Sequence, residues 1–295
     1  MRVFRSRRRL IRIRLCASAA AVASAALMTS CGTGPPDARS MAGTPSARLT
    51  GPSAAKSAKP TVVMVHGAWA DTSSWNGEIE ILRRKGYAVR AIANPLENLT
   101  TDSRTVADFL RSVPGPVVLV GHSYGGSVIT NAAARSNNVK ALVYVDAAAP
   151  AVGETTGALS GSASALNASP GTLYDAVPYA NAPSGARNLY LKKNVFLKKF
   201  AGSVPVQQAT DLWASQRAAS TAAFNTRSKY AAWKTIPSWY FISSGDRIIT
   251  PESERRMARR AGSKVTTFRG GSHLTLISDP EPVAKVIESA INAVT

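Results

Sequence analysis

The sequence predicts an α/β fold: an open, mostly parallel six-stranded sheet with helices on both faces and an inserted helical cap. Three observations carry this expectation. Six short apolar runs alternate with stretches of helical period, as parallel strands joined by crossover helices do. The alternation breaks once, over residues 150–235, and then resumes. A glycine-framed turn at residues 121–125 joins an apolar run to an Ala-rich segment.

The first run, Thr61–Val65, is β-branched and reads as a buried parallel strand ending at His66-Gly67. Residues 74–85 place Trp75, Ile79 and Leu82 among charges, the pattern of an amphipathic helix, and Gly86 closes it. Tyr87 to Ile92 reads as the next strand, broken by Asn94-Pro95. A helix is expected over 102–112, with Val106, Phe109 and Leu110 on one face. A strand over Val117–Val120, a helix over 125–136 and a strand over Ala141–Val145 follow. Residues 150–235 are rich in Ala and Ser, with helical patches near 190–200 and 205–224, and read as the cap. Strand, helix, strand and helix then return at Trp239–Ile242, Glu252–Ala261, Val265–Phe268 and Pro282–Ala293.

Residues 1–31 differ in kind from the 60–295 domain. Seven arginines precede an Ala-rich apolar stretch, Leu15 to Met28, too short and weakly apolar for a good membrane span. This reads as an export signal, and Ser6-Arg7-Arg8-Arg9-Leu10-Ile11-Arg12 resembles a bacterial twin-arginine signal; a general secretory signal is the alternative. Leu27-Met28-Thr29-Ser30-Cys31 resembles a lipobox, which makes Cys31 the expected lipid anchor and the membrane an expected partner; simple secretion is the alternative. Residues 32–59, rich in Gly, Pro, Ser and Ala, read as a disordered linker.

Without the seven arginines of residues 1–30, the formal charge falls from +19 to +12. That balance suits attraction to anionic lipid or cell wall; no basic helix or basic–aromatic run supports a nucleic-acid partner. Both cysteines, Cys16 and Cys31, precede the domain, which therefore has no disulfide and no Cys nucleophile. The sequence spacing of His, Asp and Glu suggests no metal, and no nucleotide-binding glycine motif follows a strand, so no cofactor is expected. The lysine pairs Lys192-Lys193 and Lys198-Lys199 read as a solvated face. Trp69 and Trp213 are the tryptophans placed to line a pocket.

Gly121-His122-Ser123-Tyr124-Gly125 is G-x-S-x-G between a strand and a helix, the setting of a nucleophile elbow. Ser123 is the candidate nucleophile, and Gly121, Gly125 and Gly126 give the turn room. A serine needs a base. Of His66, His122 and His273, only His273 follows the last strand, where a loop can present an imidazole; His122 is expected to turn into the scaffold. Asp246, after the strand at 239–242, is the candidate acid that orients His273, with Asp146 after the preceding strand as its rival. The backbone N–H groups of Ala68 and Tyr124 are the candidate oxyanion donors.

Together the elbow, the His66-Gly67-Ala68 loop, the late Asp and the late His resemble the α/β-hydrolase superfamily. The six-strand core resembles its compact branch, which includes plant methylesterases, hydroxynitrile lyases and bacterial esterases. The resemblance implies a serine esterase acting through an acyl-enzyme on a small-molecule ester, and the cap's small residues and scarce charges suggest a small apolar or aryl one. Two other functions are compatible with the scaffold: a non-catalytic small-molecule binding protein, and a carbon–carbon lyase of the hydroxynitrile lyase type. Such lyases carry Thr after the histidine of the first strand's end, where this chain has Gly67.

Overall fold

The computed structural model describes residues 59–183 and 185–295. The expected export signal, Cys31 and all but the last residue of the linker lie outside them. Among the described residues the strands are β1 (Thr61–Val65), β2 (Val89–Ile92), β3 (Val117–His122), β4 (Val139–Val145), β5 (Tyr174–Val177), β6 (Asn188–Leu191), β7 (Ala219–Ser220), β8 (Ser238–Ser243) and β9 (Lys264–Phe268). Six of them form one sheet in the order β2-β1-β3-β4-β8-β9, with every neighbouring pair parallel.

All carboxyl ends of a parallel sheet lie along one edge. The strand order reverses between β1 and β3, and a crevice opens at that switch point. Val65 pairs in register with Gly121, and Gly121 with Tyr144. The loops after β1, β3 and β4 therefore leave the sheet at one level.

The helices are α1 (Asn76–Arg84), α2 (Leu99–Arg111), α3 (Tyr124–Ala133), α4 (Pro170–Leu173), α5 (Lys193–Val195), α6 (Val206–Ala214), α7 (Thr221–Asn225), α8 (Pro251–Ala261), α9 (Thr275–Ser278) and α10 (Pro280–Asn292). Alternate residues of a strand face opposite sides of the sheet, yet all of β3 and β8 is buried, so both faces are covered. One helical layer includes α1 packed on α10, and the other includes α2 packed on α3. Burying each Val or Leu of these strands stabilises the fold by roughly 1.5–3 kcal/mol. The ends of α8 have local causes. The Thr250 side chain caps it, Pro251 opens it with a pre-set φ, and Gly262 stops it at φ 62°.

The cap corrects one expectation. Between β4 and β8 the chain is not purely helical: β5, β6 and β7 form a three-stranded antiparallel sheet. The patch expected as helix near 190–200 begins inside β6, and the patch at 205–224 is split by β7 between α6 and α7. Short apolar runs in an Ala- and Ser-rich segment carry no clear period, so cross-strand pairing decided the outcome.

Candidate active site

Ser123 sits between β3 and α3 with φ 55° and ψ −125°. A non-glycine residue held there costs on the order of 1–3 kcal/mol, and the packing around it maintains the strain. Glycines make the turn possible: a Cβ on Gly121 would lie 2.6 Å from the Gly125 carbonyl oxygen. The elbow holds Ser123 Oγ toward the loop after β9. There the Ser123 hydroxyl donates to His273 Nε2 at 2.7 Å, and His273 Nδ1–H donates to Asp246 Oδ2 at 2.6 Å. Asp246 Oδ1 in turn accepts the N–H groups of Ile248 and Ile249 at 2.7 and 3.3 Å. Burial pushes the His273 pKa down to about 3, which leaves the imidazole neutral and able to accept a proton at neutral pH.

The structure thus brings Ser123, His273 and Asp246 together. The rival Asp146 is elsewhere engaged: its Oδ1 accepts Ser243 N–H at 2.6 Å, and its Oδ2 shares a hydrogen bond with Ser243 Oγ at 2.8 Å. Asp146, Asp246 and Glu254 nevertheless converge, with carboxylate oxygens within 4.8 Å of one another and all three side chains buried. Sequence spacing hid this cluster, because its members come from three separate elements.

Such a cluster cannot cheaply hold three charges. Burial raises all three pKa values. The donors decide where the charge rests. Asp246 receives two main-chain N–H groups and His273 Nδ1–H, whereas both Glu254 oxygens meet no hydrogen-bond partner. Asp246, with the most donors, is best placed to carry the charge, and burial drives Asp146 and Glu254 toward the protonated form. Ser243 Oγ, 2.8 Å from Asp146 Oδ2, also lies 2.7 Å from Thr275 Oγ1. Thr275 Oγ1 donates to Ser272 O at 2.7 Å, one residue from His273.

His122 is turned into the scaffold, as expected, but it also does something the sequence did not signal. Its Nε2 contacts the His273 carbonyl at 2.8 Å, and the two rings lie 4.8 Å apart. The nearest sequence cue was its place inside the elbow motif.

Tyr124 is the first residue of α3, so its N–H is among those that no intrahelical carbonyl claims. Its hydroxyl donates to the buried Asp102 at 2.7 Å. Ala68 follows Gly67, whose backbone presses on Ser123. A Cβ on Gly67 would lie 2.5 Å from Ser123 Cβ and 3.1 Å from Ser123 Oγ.

Aromatic rings cover this constellation. Phe200 lies 5.2 Å from the His273 ring, and Phe224 lies 6.1 Å from Tyr124. Trp69 stacks between Tyr174 and Phe224 at 5.8 and 5.4 Å and meets Phe200 edge-on at 5.7 Å. Trp69 Nε1 donates to Leu189 O in the cap at 2.9 Å. Ser123 is only 5% exposed and His273 0%. Trp213, the other tryptophan expected at the pocket, instead donates to Leu191 O within the cap. Of the lysine pairs, Lys192 reaches Asp175 at 2.5 Å, while Lys193 and Lys198 are exposed.

A parallel sheet with a strained serine on its central turn and a histidine on its last loop defines the α/β-hydrolase class. The chain belongs to the alpha/beta hydrolase family, whose sequence profile matches residues 62–286. It is 34% identical over 110 residues to a carbendazim-hydrolysing esterase of Nocardioides sp. (strain SG-4G), a match spanning 33% of this chain and 46% of that protein. It is 24% identical over 263 residues to the esterase PIR7B of Oryza sativa subsp. japonica, covering 80% of this chain and 97% of the relative. The fold is shared with a methylesterase from Arabidopsis, with a TM-score of 0.66 at 17% identity over 79% of this chain and 99% of that one.

Proposed function

We propose that the protein is a serine hydrolase of carboxylic esters. One observation carries this reading: Ser123 Oγ, His273 and Asp246 stand in a continuous hydrogen-bonded line of 2.7 and 2.6 Å. Ser123 attacks the ester carbonyl while His273 Nε2 takes its proton. The N–H groups of Ala68 and Tyr124 hold the oxyanion. His273 returns the proton to the leaving alcohol, Asp246 steadies the imidazolium, and water then releases the acid from the acyl-enzyme. The esterases among the relatives support ester chemistry. The roof of Trp69, Tyr174, Phe200 and Phe224 favours a small apolar or aryl ester, because flat apolar groups pack on rings. Gly67 offers no side-chain hydroxyl to a cyanohydrin oxygen, and the contacts around it leave no room for one.

Chromogenic p-nitrophenyl esters of graded acyl length test the reading, with mandelonitrile alongside. Wild type should hydrolyse the short esters, and Ser123→Ala should lower kcat by about 10³-fold or more with the fold intact. Equal activity in both proteins, or Ser123-dependent cyanide release without ester turnover, would overturn it.

We also propose that the protein is exported and held by lipid on Cys31 at the outer face of a bacterial cytoplasmic membrane. The lipobox-like Leu27–Cys31 and the net basic charge beyond the leader support this. Wild type expressed in a bacterium should incorporate palmitate and partition into detergent, and Cys31→Ser should do neither. Unlabelled wild type in the medium would mean simple secretion.

A further inference from the structure

Arg217 takes no part in the chemistry proposed for Ser123, His273 and Asp246. It belongs to the cap, between α6 and β7, yet its guanidinium reaches the sheet. Its Nη1 donates to Asn94 O at 2.9 Å and lies 3.2 Å from His66 Nε2. Asn94 N–H donates to the same His66 Nε2 at 2.9 Å. A ring nitrogen that accepts two donors carries no proton, so the His66 proton is on Nδ1. That Nδ1–H donates to Gly67 O at 2.9 Å.

The Gly67 carbonyl and the Ala68 N–H belong to one planar trans peptide, in which C=O and N–H point in opposite directions. Holding the oxygen therefore aims the N–H. We propose that Arg217 is a positioning residue: through His66 it locks the Gly67–Ala68 peptide, so that the oxyanion donor is aimed only while the cap is seated. The inference rests on the ester-hydrolase reading, since it assigns the Ala68 N–H that role.

Two further features support it. First, the Gly67 backbone packs on Ser123 with no room for a Cβ, so a small rotation of this peptide is felt at the nucleophile. Second, two rings of the cap, Phe200 and Phe224, lie against His273 and Tyr124, and Ser123 is 5% exposed, so lifting the cap would uncover the site. Lifting it draws Arg217 from His66 and leaves that ring held by Asn94 alone; closing restores both donors. Assembly of the site by closure is a general device that keeps water out until substrate is bound.

The charged and titratable groups facing His66 are Arg217 from the cap, Asp71 from the loop after β1, and His122 from β3. Burial is the main cause of a His66 pKa near 4; the Arg217 charge lowers it and Asp71 raises it. Without Arg217 the imidazole takes a proton at higher pH, and Nε2 then no longer accepts Asn94 N–H.

The test uses Arg217→Ala and Arg217→Lys in the whole protein. With p-nitrophenyl acetate, Arg217→Ala should lose about tenfold in kcat, below the 10²- to 10³-fold typical of deleting a donor outright, and change KM by less than about threefold. Millimolar guanidinium or the Lys variant should restore part of kcat, and the acid limb of kcat in the Ala variant should move to higher pH. Amide hydrogen exchange, which needs no substrate, should quicken over residues 66–70 while β3 and α3 stay protected. Wild type inert to esters would refute the enzymatic reading while exchange still judged the strut. Unchanged exchange at 66–70, or an unchanged kcat in an active enzyme, would refute the strut.

Discussion

Below Ser123 Oγ, side chains from the carboxyl ends of strands meet at 2.6 and 2.7 Å; above it, rings meet at centroid separations of 5.2 to 6.1 Å. The floor is polar, directional and anchored to the parallel sheet. The roof is mostly apolar and comes largely from the cap. A hydrogen-bonded floor tolerates little displacement, because angle and distance both matter. Stacked rings slide at small cost. The two regions should therefore fail differently: changes in the floor should abolish turnover, and changes in the roof should redirect it.

The sharpest test within the floor sets its two strand-end aspartates against each other. Asp246→Asn removes the charge that orients His273 and should lower kcat by about 10²- to 10⁴-fold. Asp146 is held by Ser243 and does not touch His273, so Asp146→Asn should cost less than about tenfold. Steady-state kinetics on both folded variants decide it; the reverse ranking would move the catalytic charge to Asp146.

The same contrast explains what could be read in the sequence. Ser123 and the loop after β1 are parts of short contiguous motifs, and His273 and Asp246 follow from their places after strands. Choosing Asp246 over Asp146 from sequence rested on chain order; in space, the choice follows from Ser243, which occupies Asp146. Glu254 was hidden because it stands among Arg255, Arg256, Arg259 and Arg260 in α8, and only packing sends this one acid inward. The roof was least legible. Tyr174, Phe200 and Phe224 are scattered over some fifty residues without period, and they meet on Trp69 only once β5, β6 and β7 pair. No local pattern marks Arg217, since its partners lie more than a hundred residues away.

The roof prediction has a smaller effect and a different sign for different substrates. Phe224→Ala removes a ring that stacks on Trp69 and flanks Tyr124. The acetate ester should lose no more than about tenfold in kcat/KM, because one apolar contact is worth little discrimination. Longer acyl esters should gain, so that the optimum of the p-nitrophenyl series shifts upward. If every ester lost activity in equal proportion, the ring would be supporting the floor and not shaping the pocket.

The smallest expected effect concerns stability rather than turnover. Glu254 is fully buried, neither carboxylate oxygen has a hydrogen-bond partner, and burial beside Asp146 and Asp246 raises its pKa well above its usual value. The native state therefore keeps a proton that the unfolded chain has released once the pH passes about 4.5. Wherever the native state binds more protons, stability falls as pH rises. This contribution is harmless below that pH and grows as the pH climbs toward the folded pKa. Asp146 contributes with the same sign, while the buried His122 and His273, with lowered pKa values, contribute the opposite sign at acid pH. Comparing two variants at each pH largely cancels these shared groups. Glu254→Gln keeps the shape and the neutral charge, so kcat should stay within about twofold. Its melting temperature should match wild type at pH 4.5 and exceed it by a margin that widens to pH 8. A margin independent of pH would mean that Glu254 titrates as it does in water, and that the floor carries a second negative charge behind Asp246.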